Sequence, residues 1–221
     1  MASLQRRIDE LGTFDPLELY KTHAPDFKSL CDIQAAFAQG RVTRSPFHGD
    51  AYDVETQQLV PAMLRLYALG FFAMRGQSPR VDVSNTRIHS WLSSHRGFIA
   101  GFMPVDKCDA FLRHVANERV FVAVHDPPGI LRFTNFPETR PLSVTRIGSK
   151  AMGSADEPLW SDHMDVHPHL AVGLDCFERF ARAYRVLSNE CCYVILVDDA
   201  YGDETSTTKR VEDMLIEFLT P

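Results

Sequence analysis

The alternation of apolar and polar positions is clearest between residues 53 and 80, where it sets out a helix, a stop and a strand. Leu59, Met63, Leu66, Tyr67 and Gly70 recur at helical spacing on one face, and Gln58, Arg65 and Ala68 fall on another. Pro61 sits inside this pattern. An interior proline costs about 3 kcal/mol, so the regular helix either starts close to Pro61 or kinks there. Gly70 stands where a helix end calls for positive φ. Residues 71–74, Phe-Phe-Ala-Met, form an apolar run of strand length. The run empties into residues 75–79, Arg-Gly-Gln-Ser-Pro, which read as a polar turn at the strand's C-terminal end. Open α/β sheets commonly place ligands at such ends.

The rest of the chain alternates in the same way. Leu4, Ile8 and Leu11 mark a short helix. Pro25 suits the first turn of a second, whose buried side is Phe27, Leu30, Ile33 and Phe37 and whose stop is Gly40. Residues 41–52 are a loop. Residues 81–94 carry no clear period, but 97–103 read as a buried strand whose two glycines admit close approach of another backbone or a ligand. Asp106 can cap a helix with Phe111, Leu112 and Val115 inward, and 120–124 is the next strand. Residues 126–129, Asp-Pro-Pro-Gly, are a turn, because proline presets φ and glycine accepts positive φ. Residues 131–134 and 142–147 alternate as shorter strands, and 148–162 read as an exposed loop. A long helix over about 170–187 has Leu174, Phe177, Phe180, Ala181 and Tyr184 inward. Residues 192–197 are the strongest buried strand and end in Asp198 and Asp199. A final helix buries Val211, Met214, Leu215 and Phe218. This interleaving predicts one α/β or α+β domain over residues 1–221, with a single mixed β-sheet flanked by helices. The runs at 70–74, 97–103, 120–124 and 192–197 should share that sheet, because they cannot be buried separately in a chain this short.

Composition narrows the function classes. A chain of 221 residues, 45% hydrophobic and 24% charged, can bury its own core without disulfides. A net charge of −6 argues against general nucleic-acid binding, which needs phosphate-neutralising Lys and Arg. Cys31, Cys108, Cys176, Cys191 and Cys192 form no Cys-x-x-Cys pair and fit a reducing compartment, so all five are expected as free thiols. Cys108 and Cys176 fall in helical patterns as small core residues, and neither Cys31 nor Cys191 has a visible activating partner. The first ten residues hold no apolar signal core, and no run approaches the roughly 18 apolar residues of a membrane span. A cytoplasmic protein with no membrane partner is expected. No Gly-x-Gly-x-x-Gly or P-loop occurs, and no cofactor is expected.

Three polar groupings carry candidate chemistry. Arg75, Gln77 and Ser78 can bind an anion or amide, or supply a serine nucleophile. Residues 76–80, Gly-Gln-Ser-Pro-Arg, lack the Gly-x-Ser-x-Gly of a hydrolase elbow. The competing reading is a structural turn in which Ser78 bonds its own backbone. Asp198 and Asp199, followed by Asp203 and Glu204, can hold a cation, a guanidinium or an amine, or act as a general base. Against that, acidic turns end many strands, and Asp203 can cap the last helix. His89, His95 and His125 flank strand ends, and histidine is the natural base near neutral pH. His163 and His167 are four apart, but Pro168 breaks the helix that would align them, so no essential zinc is expected there. The candidate catalytic residues are therefore Ser78, His95 and Asp199. Arg75, Gln77, Arg96 and Asp198 are the candidate substrate-binding residues, and no metal ligand is assigned.

Residues 55–61, Glu-Thr-Gln-Gln-Leu-Val-Pro, precede Gly70-Phe71, then Gln77-Ser78-Pro79 and Arg96-Gly97-Phe98. In order and spacing, residues 30–126 resemble a family of small bacterial proteins known as a domain of unknown function. That family has Glu-Thr-x-x-Leu-Val-Pro, Gly-Phe-x-Thr and Ser-Gln-Pro. Here Ala73 replaces the threonine and the Ser-Gln order is inverted, which implies a different ligand if the segment binds one. In size and in its acidic strand end, the chain is also similar to fungal cyclodipeptide synthases that use arginyl-tRNA. The expectation is a transferase-type enzyme acting on a small polar substrate by acyl-transfer or acid–base chemistry at a strand-end pocket. The alternatives are an aminoacyl-tRNA-dependent, arginine-containing cyclodipeptide synthase, or a non-catalytic binding or interaction domain. A basic patch of Arg41, Arg44, Arg80 and Arg87 would favour aminoacyl-tRNA as partner, a closed pocket without one a small metabolite.

Overall fold

The structure, a computed structural model, describes residues 17–22, 26–85, 90–126, 130–135, 145–149, 186–187, 189–201 and 210–221. Its elements run α1 (Leu17–Thr22), α2 (Phe27–Ala38), α3 (Val54–Gln57), α4 (Val60–Ala68), β1 (Phe72–Gln77), β2 (Arg80–Asn85) and β3 (Ser90–Pro104). They continue with α5 (Val105–Val115), β4 (Val120–Asp126), β5 (Ile130–Thr134), β6 (Thr145–Ser149), β7 (Cys191–Tyr201) and α6 (Val211–Leu219). The first two helices after α1 follow directly from local chemistry. Asp26 caps α2 by accepting from Ser29 N at 2.7 Å, and Asp53 caps α3 by accepting from Thr56 N at 2.6 Å. Pro61 is tolerated because α4 begins at Val60, so proline occupies its first turn, where no intrahelical N–H bond is lost. Leu59, Met63, Leu66 and Tyr67 are buried, and Gly70 takes φ +82° after the helix, as the spacing predicts. Asp106 lies in the first turn of α5 rather than at its cap, which is Pro104.

The sheet is organised around β3. Along one edge of β3, its second half pairs with β1 and its first half with β2. Along the other edge, the second half pairs with β7 and the first half with β6. β7 continues to β4, and β4 to β5. Helices and strands thus surround one sheet in an α+β arrangement, and the runs expected to share a sheet do so. Every pairing among the described strands is antiparallel.

Residues 75–77 are not a turn. β1 runs through Arg75 and Gly76 to Gln77 after a bulge at residues 73–75, and only Ser78 and Pro79 interrupt the path into β2. Polar composition does not end a strand when a partner backbone is in reach, and β3 supplies that partner. Asp198 and Asp199 likewise lie within β7, which runs on to Tyr201. Residues 81–85 become strand by pairing with β3, and residues 90–94, the first half of β3, are held between β2 and β6. Of the strand expected at 142–147, residues 145–147 lie in β6, which runs on to Ser149, and 142–144 lie outside the described residues. The helices expected at 4–11 and over most of 170–187, Cys176, His89 and the 163–169 histidines lie outside the described residues.

Helices α5 and α6 pack on β3, β4 or β7, and α6 also touches α4. Phe111 meets Phe218 with ring centroids 5.1 Å apart, which joins α5 to α6. No helix among the described residues is long and apolar enough to cross a membrane. The two strand glycines are close-approach points. A Cβ on Gly101 would collide with Phe72 O, and one on Gly97 would lie 2.8 Å from Pro79 Cδ. The second contact seats the Ser78–Pro79 break against β3.

Candidate functional site

Gln77, Phe98, Val197 and Phe121 form one row across the sheet, set by the pairings of β1 with β3, β3 with β7, and β7 with β4. Beyond this row the β3–β7 register breaks. Phe98 faces Val197, but Arg96 faces Tyr201, so Asp198, Asp199 and Ala200 stand opposite Gly97 alone. This bulge releases Asp198 and Asp199 from strict alternation across the sheet. The Asp199 carboxylate lies close enough to Asp198 to raise its pKa.

Several bonds fix the bulge in place. Gln77 Nε2 donates to Arg96 O at 2.8 Å, and Arg96 Nη1 donates to Asp198 O at 3.2 Å. The Arg96 guanidinium lies over the Phe121 ring, 5.0 Å from its centroid. Asp198 Oδ1 accepts from Ala200 N at 3.2 Å. Arg119 Nε pairs with Asp199 Oδ2 at 2.7 Å, and Asp199 N donates to Arg119 O.

The two carboxyl groups differ in surroundings. Asp198 is 5% exposed, and burial pushes its pKa above the ordinary aspartate value. The nearby Asp199 carboxylate pushes it the same way, against the Ala200 N–H and Arg96. Asp199 is ion-paired with Arg119, whose side chain is exposed. Its Oδ1 is buried and receives no donor among the described residues, so a proton on Asp198 is well placed to fill that need. Glu212, in the first turn of α6, is also pushed up by burial, with Arg210 Nη1 3.7 Å from its Oε1 and Asp198 close enough to add to the shift. The group is therefore a buried carboxyl with a raised pKa beside an ion-paired carboxylate, with a third buried carboxyl near them. Such a pair exchanges protons with a bound heteroatom more readily than two solvated carboxylates do.

Of the residues singled out from sequence, the structure brings together Gln77, Arg96, Asp198 and Asp199. Gln77 and Arg96 bond backbone carbonyls, so their geometry is that of positioning residues. Ser78 is half-buried beside Gln77, and among the described residues no hydrogen bond joins it to a base. His95 is half-buried one residue beyond Arg96, its Cα paired with Arg80 and Thr145. Arg75 is exposed and stands apart. Its partner Ala100 faces Ile195, three residues before Asp198. Sequence reasoning missed Arg119 and Glu212. A signal for Glu212 was available, since it shares a helical face with Leu215, Ile216 and Leu219, where a carboxylate is out of place.

A cleft of about 610 Å³ opens elsewhere, lined by residues that include Phe37, Tyr52, Asp50 and Pro61. Its one ionisable carboxylate, Asp50, is exposed and paired with Arg44 at 3.2 Å. Behind its wall, Tyr20 Oη donates to Gln34 Oε1, Gln34 Nε2 donates to Tyr52 Oη, and Tyr67 Oη donates to Ala73 O. That network fastens helices to β1 and leaves little for a ligand to satisfy. His48 stacks on Phe37, and burial lowers its pKa to about 4, so it is neutral near pH 7. The acid pair has the better chemistry and the cleft the better shape. Chemistry decides here, because the one carboxylate of the cleft lining is exposed and ion-paired, whereas Asp198 of the acid pair is buried.

No protein-family model matches the sequence, and no curated protein matches it.

Proposed function

We propose that the chain is an enzyme that acts on a small polar substrate by acid–base chemistry at the β7 bulge. The observation that carries this reading is the contact between Asp198, buried and pushed toward its protonated form, and Asp199, ion-paired with Arg119. In this reading Asp198 gives a proton to a substrate heteroatom and Asp199 stabilises the charge that develops as it leaves. Arg119, exposed at the rim, meets anionic substrate groups. Gln77 and Arg96 hold the bulge in register. Acyl transfer through Ser78 is the weaker branch, because a serine nucleophile needs a hydrogen-bonded base. A cytosolic setting agrees with the free thiols of the four described cysteines.

The test is untargeted mass spectrometry of a small-molecule extract incubated with wild-type protein or with Asp198→Asn, with and without charged tRNA. Small molecules should be consumed by the wild type, and Asp198→Asn should slow this by about 10²–10⁴-fold, the usual worth of a general acid or base. Consumption that needs charged tRNA would select the cyclodipeptide synthase instead. Turnover that survives Asp198→Asn, or no turnover at all, would overturn the reading, the latter in favour of a binding domain.

A further inference from the structure

Cys108 on α5, Cys192 on β7 and Asp126 at the end of β4 are far apart in sequence, yet the fold gathers them. Both thiol sulfurs and a carboxylate oxygen lie within 4.8 Å of one another. The two cysteines are 0% exposed, and the Asp126 side chain is 14% exposed. We propose that Cys108, Cys192 and Asp126 form a binding site for a thiophilic divalent ion of the zinc class.

The distances suit such an ion. With bonds of about 2.3 Å to sulfur and 2.0–2.2 Å to oxygen, tetrahedral donors stand roughly 3.5–3.8 Å apart. The spacing observed, within 4.8 Å, therefore closes on an ion with a contraction of at most about 1 Å. Two thiolates select against magnesium and calcium, which take oxygen ligands. Three protein donors are the number found where the fourth position is left to water or substrate.

The surroundings suit it too. Arg132 Nε lies 2.7 Å from Asp126 Oδ2, and Arg132 Nη2 donates to Asp126 Oδ1 at 2.9 Å. Each carboxylate oxygen keeps a further lone pair, so Arg132 orients Asp126 as an outer-shell partner without displacing an ion. Arg132 is in turn held by Asp109 on the solvent side, and its side chain is 33% exposed. Without an ion, the Cys192 thiol donates to Met103 O at 3.6 Å. An ion that displaces one proton from each thiol leaves the local charge unchanged, which limits the cost of placing it in a buried site.

The experiment is an anaerobic titration of the reduced, chelator-stripped full chain with Co(II), followed by Zn(II). One equivalent should give a sulfur-to-cobalt charge-transfer band in the near ultraviolet and visible bands of tetrahedral intensity, and Zn(II) should erase both. A variant with Cys31, Cys176 and Cys191 changed to alanine should keep the spectrum. Arg132→Gln should weaken Zn(II) binding by about 10–100-fold, and Cys108→Ser or Cys192→Ser by more than that. The wild-type spectrum stands by itself if a cysteine variant fails to fold. Absence of the charge-transfer band in the wild type, or its persistence in folded Cys108→Ser, would overturn the proposal. Loss of binding on first changing Cys31, Cys176 and Cys191 would also overturn it, by placing the ion elsewhere.

Discussion

Replacing Asp198 with asparagine is expected to stabilise the protein at neutral pH, although most substitutions of a buried polar residue destabilise. Asparagine is nearly isosteric with a protonated carboxyl. Its Oδ1 can accept from Ala200 N as Asp198 Oδ1 does, and its amide can donate to the buried Asp199 Oδ1, which no other described residue serves. A net hydrogen bond of this kind is worth about 0.5–1.5 kcal/mol. In a chain of this size about 1 kcal/mol moves Tm by about 2–4 °C. The pH dependence has a definite sign. Burial and the Asp199 charge raise the folded-state pKa of Asp198 above its ordinary value of 3.8. The folded state therefore holds the proton more tightly than the unfolded chain. The stabilisation this brings is complete below the ordinary value and is lost as pH rises through the raised one. The variant has no proton to lose. Its advantage over wild type should be small at pH 3.5 and grow with pH until Asp198 is ionised in the wild type. Melting both proteins by circular dichroism from pH 3.5 to 8 measures this difference directly. If Asp198→Asn melts below wild type at pH 7.5, or the difference is independent of pH, Asp198 is not held as a protonated acid. The proposed chemistry would then lose its main support.

Gln77→Ala should lower stability by about 1 kcal/mol, because it removes a bond to a backbone carbonyl that is part-buried, whereas Ser78→Ala should stay within about 0.5 kcal/mol of wild type. Urea unfolding of the two variants separates these expectations, and equal effects would remove Gln77 from its positioning role. Gly97→Ala should cost about 1–3 kcal/mol through collision with Pro79, read in the same assay, and a neutral result would mean that the Ser78–Pro79 break is free to shift. Thiol titration of denatured, unreduced protein should count all five cysteines of the chain, and a count of three would reveal a disulfide.

Periodicity alone was enough to define α2, α4, α6 and the buried core of β1, β3, β4 and β7. In these elements the residues that must be buried are spaced by the local backbone repeat, and Pro61 and Gly70 act within a few residues of themselves. The same information left residues 75–77 and 81–94 unassigned or misassigned. Arg75, Gly76 and Gln77 have no strand preference of their own and become strand because β3 offers its edge, which is a long-range pairing. Asp198 and Asp199 were legible as an acidic pair, but not as a pair in contact. Adjacent residues in a regular strand point to opposite faces, and only the bulge opposite Gly97 brings these two together. Glu212 joins them because α6 packs on β7, and Cys108 meets Cys192 and Asp126 because α5 lies over β4 and β7. Proton affinities and ligand sets depend on distances and burial between distant segments. Local sequence specifies which groups are available, and the closing of the sheet decides which of them meet.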